Sequence, residues 1–301
     1  MEALQRNLLA DVSDLFVYSD AAKSEAAMES VAEVRAYLRG IEGFRSVTVI
    51  ERDRNWGVDP SVIDGVTTLC QQFGRAIVLE DDLVTSPWFL TYMNRALDLY
   101  QNEDCVMQVS GFMFPNRGFA PDRACFLPFM NSWGWATWKR AWKKFDPTAA
   151  AYESLRRNGR RRYAFNLHGA YDYFNMLEQF VQGNLDAWDI RWYLSIFDHG
   201  GLTLFPQKSL VRNIGFDGSG EHCPSSDFAG TEISDVELRH FPAVAIDLAA
   251  QKAVEAYLIS QRDKGFKPFI RHLLGGHSSV SVRNRLRVAL KRSFGLRVPT
   301  K

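Results

Sequence analysis

The first half of the chain predicts a doubly wound α/β fold, a mostly parallel sheet flanked by helices. Three observations predict it. Short apolar runs rich in β-branched residues recur along residues 15–109. Between them the apolar residues repeat at spacings of three and four, the period of a helix face. The chain has 301 residues, 46% of them hydrophobic and 13% aromatic, which is enough to bury a large core.

In chain order, Leu15-Phe16-Val17-Tyr18 predicts a strand that ends at Ser19-Asp20. Ala27, Val31, Val34 and Leu38 predict a helix closed by Gly40. Residues 46–50 predict the next strand. Asp59-Pro60 predicts a helix entry, with Asp as N-cap and Pro in the first turn. Ile63, Val66, Cys70 and Phe73 line its inner face, and Gly74 ends it. Ala76-Ile77-Val78-Leu79 predicts a buried strand running into Glu80-Asp81-Asp82. Ser86-Pro87 opens a further helix with Phe89, Met93, Leu97 and Tyr100 inward, and 106–109 is another strand.

After residue 112 the pattern changes. Residues 112–142 are rich in aromatics, Gly and Pro and lack a regular period. Arg156, Arg157, Arg160, Arg161 and Arg162 form a basic cluster. Residues 201–205 predict a strand, 213–223 a glycine-bearing loop, and 246–261 a helix. The expected organisation is a domain over 1–245, with halves 1–111 and 112–245, followed by a helical extension over 246–301.

Composition narrows the function. The formal charge is +1 and charged residues make up 24%, which excludes a disordered chain and a general polycation; no nucleic-acid partner is expected. Cys70, Cys105, Cys125 and Cys223 show no C-x-x-C spacing, so no zinc knuckle is expected. Cys70 and Cys105 read as buried free thiols. Met1-Glu2-Ala3-Leu4 does not open a secretory signal, and no stretch reads as a membrane span. A cytoplasmic protein is expected. Residues 282–301 carry seven basic residues and no acidic one, with Leu286, Leu290 and Phe294 four apart. That basic amphipathic pattern suits either the inner, anionic face of the cell membrane or a terminal helix packed on the domain.

The acidic triplet is the sharpest local signal. Carboxylates at the C-terminal end of a buried strand lie where α/β sheets bind ligands. Crowded together they favour a hard divalent cation such as Mg²⁺ or Mn²⁺. An acidic turn that caps the next helix is the plainer reading.

Taken with its neighbours, the segment A-I-V-L-E-D-D-L-V-T-S-P at 76–87 resembles the metal-binding segment of GT-A-fold nucleotide-sugar glycosyltransferases. The likeness runs over about residues 1–225. It is to the inverting N-acetylglucosaminyltransferases that start complex N-glycans and to bacterial relatives in surface-polysaccharide synthesis. The resemblance implies a metal on Asp82, with Glu80 and Asp81 reaching the donor's ribose and sugar. It implies that Asp20 contacts the uracil ring, and that Asn55 and Gly57 lie in the loop beside the donor. Trp133-Gly134-Trp135 is similar to the family's aromatic–glycine loop at the donor sugar, although buried aromatic core is the commoner fate of Trp. Trp188-Asp189-Ile190-Arg191-Trp192 is similar to its W-D-D-W segment, which implies Asp189 as catalytic base; Ile190 departs from that pattern, and Asp198 is an alternative. Residues 215–222 are similar to the loop that closes over the donor, where His222 would touch the diphosphate or the metal.

The implied activity is transfer of a sugar from a UDP-type donor to a saccharide or lipid-linked saccharide acceptor, with inversion and with Mn²⁺ or Mg²⁺. The family's first strand, ahead of the helix that holds Leu4, Leu8 and Leu9, has no counterpart in the chain. Two explanations stand: a true start about twenty residues further upstream, one strand and its turn, or a shortened domain that acts in binding or membrane association. Nucleotidyl transfer also uses strand-end carboxylates and a metal, but it gives no reason for the Trp-rich segments.

Overall fold

The computed structural model describes residues 1–116, 118–215 and 232–263. They form a mixed α/β architecture of three sheets around an aromatic-rich core. A short helix, α1 (Glu2–Gln5), is followed by β1 (Asp14–Ser19), a 3₁₀ turn at Glu25–Ala27 and α2 (Met28–Arg39). Next come β2 (Ser46–Glu51), α3 (Val58–Phe73), β3 (Arg75–Val78), β4 (Leu83–Thr85), α4 (Phe89–Leu99) and β5 (Val106–Ser110). All seven strands and helices expected up to residue 109 are present, within a few residues of their expected bounds.

The sheet differs from the expectation. β1 and β2 pair in parallel, Asp14 opposite Ser46 and Ser19 opposite Glu51, but they form a sheet of two strands only. The main sheet adds β6 (Ala124–Leu127), β7 (Trp135–Trp138) and β8 (Leu202–Pro206), in the order β3-β7-β5-β8-β6. Only β5 and β8 run parallel in it. β7 enters antiparallel between β3 and β5, with Trp135 opposite Val78 and Ala136 opposite Val109. All four residues of β7 are buried, so the strand has no alternating pattern to betray it. The third sheet pairs β4 with β9 (Val211–Asn213), antiparallel.

The second half is mostly helical: α5 (Lys139–Trp142), α6 (Tyr152–Arg157), α7 (Gly159–Phe165), α8 (Tyr173–Val181) and α9 (Trp188–Asp198). α10 (Leu248–Asp263) matches the helix expected at 246–261. Every α9 residue from Trp188 to Ile196 is buried. Trp192 donates to Gln108 Oε1 at 2.7 Å, and Gln108 donates to the Asn131 carbonyl at 2.8 Å, so these buried polar side chains are paired. Trp138 and Trp142 are core, as expected. Buried Asn7 ties the N-terminal segment down: it donates to Thr85 Oγ1 at 2.9 Å and accepts from the Leu90 amide at 3.0 Å. No described helix is long and apolar enough to cross a membrane. Burial raises the Cys70 and Cys125 thiols to about 12, whereas Cys105 is exposed, against the expectation.

The β1–β2 pair carries a pH-sensitive clamp. Asp14 accepts from Arg45 Nε at 2.9 Å and from Ser46 Oγ at 2.7 Å. The hydrogen bond from Arg45, then that from Ser46, lowers the Asp14 carboxyl from its usual 3.8 to about 2. A depressed folded-state value means the clamp contributes fully above the unfolded value and is lost as pH falls through about 2. Acid titration followed by circular dichroism should show wild type more stable than Asp14→Asn above pH 4, with the two curves merging near pH 2. A difference that persists unchanged at pH 1.5 would contradict this account.

Candidate functional site

At the ends of β1 and β2 the chain builds a tight carboxylate cage. Asp20 Oδ1 accepts from the Ala21 and Trp56 amides, each at 2.9 Å. Its Oδ2 accepts from the Gly57 amide at 2.8 Å and from Asn55 Nδ2 at 3.0 Å. Asp20 therefore shapes the 55–57 loop rather than capping α2. Gly57 has φ +79°, a conformation L side chains rarely adopt. It is also the N-cap of α3, so Asp59 sits inside the helix and not at its cap as expected.

Arg52 adjoins the cage. Its guanidinium lies 3.9 Å from the Trp56 ring centroid and 5.1 Å from that of Tyr18, and it pairs with Asp64. Arg52 Nε, Trp56 Nε1 and Ser61 Oγ are buried without hydrogen-bond partners among the described residues. Each such group costs about 1–3 kcal/mol if left unsatisfied. Acceptor oxygens of a ligand would relieve that cost.

The acidic triplet forms the turn between β3 and β4. Asp82 Oδ2 accepts from Asn213 Nδ2 at 3.0 Å, and the Asp82 carbonyl accepts from the Ile214 amide at 2.8 Å. A Cβ added at Gly215 would come within 2.9 Å of Asp82 Oδ2, so glycine there lets the backbone after β9 pack closely on the carboxylate. Oxygen donors of this kind are the ligand type of Mg²⁺ and Mn²⁺. Among the described residues no three His, Cys, Asp or Glu side chains gather as a metal-binding group. Such ions commonly take one or two carboxylates and complete their shell with phosphate and water oxygens.

Trp133, Gly134 and Trp135 lie beside the triplet, but as packing. Trp133 meets Phe112 edge-on at 4.7 Å and is 3% exposed. Trp135 stacks on Trp188 at 5.2 Å and tilts against Trp142 at 5.9 Å. Gly134 has φ +59°, and a Cβ there would meet Val211 at 2.9 Å and Leu79 at 3.3 Å. Glycine thus lets β7, β9 and the end of β3 close together.

Asp189 stands in the first turn of α9, 1% exposed, with its Oδ1 accepting from the Ile190 amide at 2.8 Å. Trp188 links it to β7, whose Trp135 pairs with Val78, two residues before Glu80. On the same turn Arg191 forms an ion pair with Asp59, both side chains about 10% exposed. Arg191 also donates to the Ala187 carbonyl at 3.1 Å and lies 4.6 Å from the Phe180 ring centroid. This pair fastens α9 to the first turn of α3, next to the Asp20 cage. Tyr173 is nearby with a fully buried hydroxyl. Burial first, then the charges of Tyr193, Tyr171 and Asp189, raises its pKa well above the usual range, so it remains a hydrogen-bond donor.

Asp198, the alternative base, is at the far end of α9, about 14 Å along the axis. It is half-exposed and pairs with Arg161 at 2.7 Å. His222 and the segment 282–301 lie outside the described residues. Sequence reasoning set Arg52 and Trp56 in the 52–57 loop beside the donor without a role of their own, and it gave Asn213 and Arg191 no role in the site. Arg52 had a signal, its place directly after β2 at the head of that loop, whereas Asn213 lies 131 positions from Asp82 and had none.

Compared with protein-family models and with curated proteins, the chain matches none.

Proposed function

We propose that the chain is a metal-dependent inverting glycosyltransferase of GT-A type. Its donor would be a nucleoside-diphosphate sugar, probed first as UDP-sugars, and its acceptor a saccharide or lipid-linked saccharide. The observation that supports this reading is a chain of packing contacts. The Asp20 cage, the acidic triplet and Asp189 belong to distant segments, yet β7, α3 and α9 tie them to one another.

In this reading Asp20, Asn55, Gly57 and the unsatisfied donors of Arg52 and Trp56 frame the nucleotide. Glu80 and Asp81 face the ribose and sugar, and Asp82 holds Mn²⁺ or Mg²⁺. The cation, when bound, neutralises charge on the diphosphate. Asp189 takes the proton of the acceptor hydroxyl, whose oxygen bonds to the anomeric carbon from behind. The bond from that carbon to the diphosphate oxygen breaks, and the nucleoside diphosphate leaves with the electron pair. Trp133 and Trp135 act by packing behind the site. His222 remains a proposed contact to the diphosphate.

The test is release of nucleoside diphosphate from a panel of UDP-sugars with Mn²⁺ and saccharide acceptors. Turnover is expected to require the metal and to fall about 10²–10³-fold in Asp82→Asn, the several kcal/mol a Lewis acid supplies. Undiminished turnover in that variant sinks the proposal, and pyrophosphate as product would indicate nucleotidyl transfer instead.

One observation favours a second reading, a non-catalytic domain of the same type. Asp189 is almost wholly enclosed, so an acceptor reaches it only if neighbouring segments move. Donor binding without any turnover would support that reading.

A further inference from the structure

The helices α6 and α7 carry a second charged feature, remote in role from the carboxylate site. Five arginines fall within residues 156–162 of a chain whose formal charge is only +1. They divide into two groups. Arg161 and Arg162 anchor the helices: Arg161 pairs with Asp198, and Arg162 donates to the Arg156 carbonyl at 3.0 Å and lies over Phe174. Arg156, Arg157 and Arg160 are exposed. Glu153 is the one carboxylate paired with them among the described residues, 3.1 Å from Arg156 and 3.7 Å from Arg157. Arg160 makes no ion pair there.

Between the helices lies a shallow open hollow of about 970 Å³, lined by Glu153, Ser154, Arg157, Asn158, Gly159 and Arg160. Tyr163 stands one turn after Arg160 on the same face of α7 and is 57% exposed. An aromatic ring with a polar tip among guanidinium groups matches the polar–apolar boundary of a bilayer.

We propose that the α6–α7 face docks on an anionic lipid surface, with a headgroup phosphate seated in the hollow between Arg157 and Arg160. Guanidinium forks suit phosphate oxygens. Charge complementarity selects an anionic over a neutral bilayer, and exposed Tyr163 selects an interface with an apolar layer. A nucleic acid would call for a run of stacking aromatics beside the charges, and Tyr163 stands alone. This proposal does not depend on the transfer reaction.

The full chain is sedimented with vesicles of phosphatidylcholine alone and with vesicles that also contain phosphatidylglycerol. Binding to the second and not the first is expected. A membrane-proximal basic residue contributes about 1 kcal/mol, so R157Q/R160Q should lower the partition coefficient about 25-fold. R157K/R160K, which keeps the charge, should retain most of the binding. The pair R283Q/R287Q separates the face from the tail. Unchanged partitioning in R157Q/R160Q, with the whole loss in R283Q/R287Q, overturns the proposal. So does absence of binding to the anionic vesicles, or retention on polyuridylate without vesicle binding. Circular dichroism confirms that each variant is folded.

Discussion

Asp189→Asn is expected to lower kcat about 10²–10⁴-fold while donor binding, read by thermal shift, stays within about two-fold of wild type. The substitution keeps the shape of the side chain and the acceptor for the Ile190 amide, so that hydrogen bond in the first turn of α9 is retained. What it removes is the ability to accept the proton of the acceptor hydroxyl. A kcat within three-fold of wild type would eliminate Asp189 as the proposed base. Asp198 would not then inherit the role easily, because Arg161 holds it at the opposite end of the helix.

The largest effect on stability is expected at Arg191. Removing one partner of a buried ion pair leaves the other charge enclosed and costs about 3–5 kcal/mol. Arg191→Met should therefore lower Tm by about 6–20 °C, at the roughly 2–4 °C per kcal/mol of large domains. Asp59→Asn should behave similarly, since its carboxylate meets the same guanidinium. The double variant Asp59→Asn/Arg191→Met should be less destabilised than the sum of the two, because no buried charge is then left unpaired. Strict additivity, or single variants within 1 kcal/mol of wild type, would show that this pair does not fasten α3 to α9.

Much of the first half was legible from period alone. Ala27, Val31, Val34 and Leu38 marked α2, and the β-branched run at 46–50 marked β2. Helix boundaries were less legible. Asp59 reads as an N-cap from its residue type and the Pro that follows, yet Gly57 caps α3 and the Asp59 carboxylate is drawn to Arg191, 132 positions away. Cys105 directly precedes the apolar run of β5 but also follows Glu103-Asp104, and it lies on the surface.

The candidate site divides in the same way. Glu80, Asp81 and Asp82 were visible because three carboxylates follow an apolar run, a local fact. The burial of Trp133 and Trp135 was not visible, since a Trp-Gly-Trp triplet reads alike on a sugar and in a core.

Residue order and periodicity were thus enough for the α/β class, seven of the helices and strands up to residue 110, and the acidic turn, because each depends on neighbours a few positions apart; the short β4 (Leu83–Thr85), which forms only by pairing with β9, was not among them. Strand order was another matter. The parallel β1–β2 pair stands apart, and antiparallel β7 sits beside β3, because a uniformly buried strand such as Trp135–Trp138 carries no alternation to reveal its partner. The ties between α9 and β7 and between α9 and α3 rest on Trp188 stacking on Trp135 and on Arg191 meeting Asp59. Those contacts join segments far apart in the chain, and only packing in three dimensions selects them.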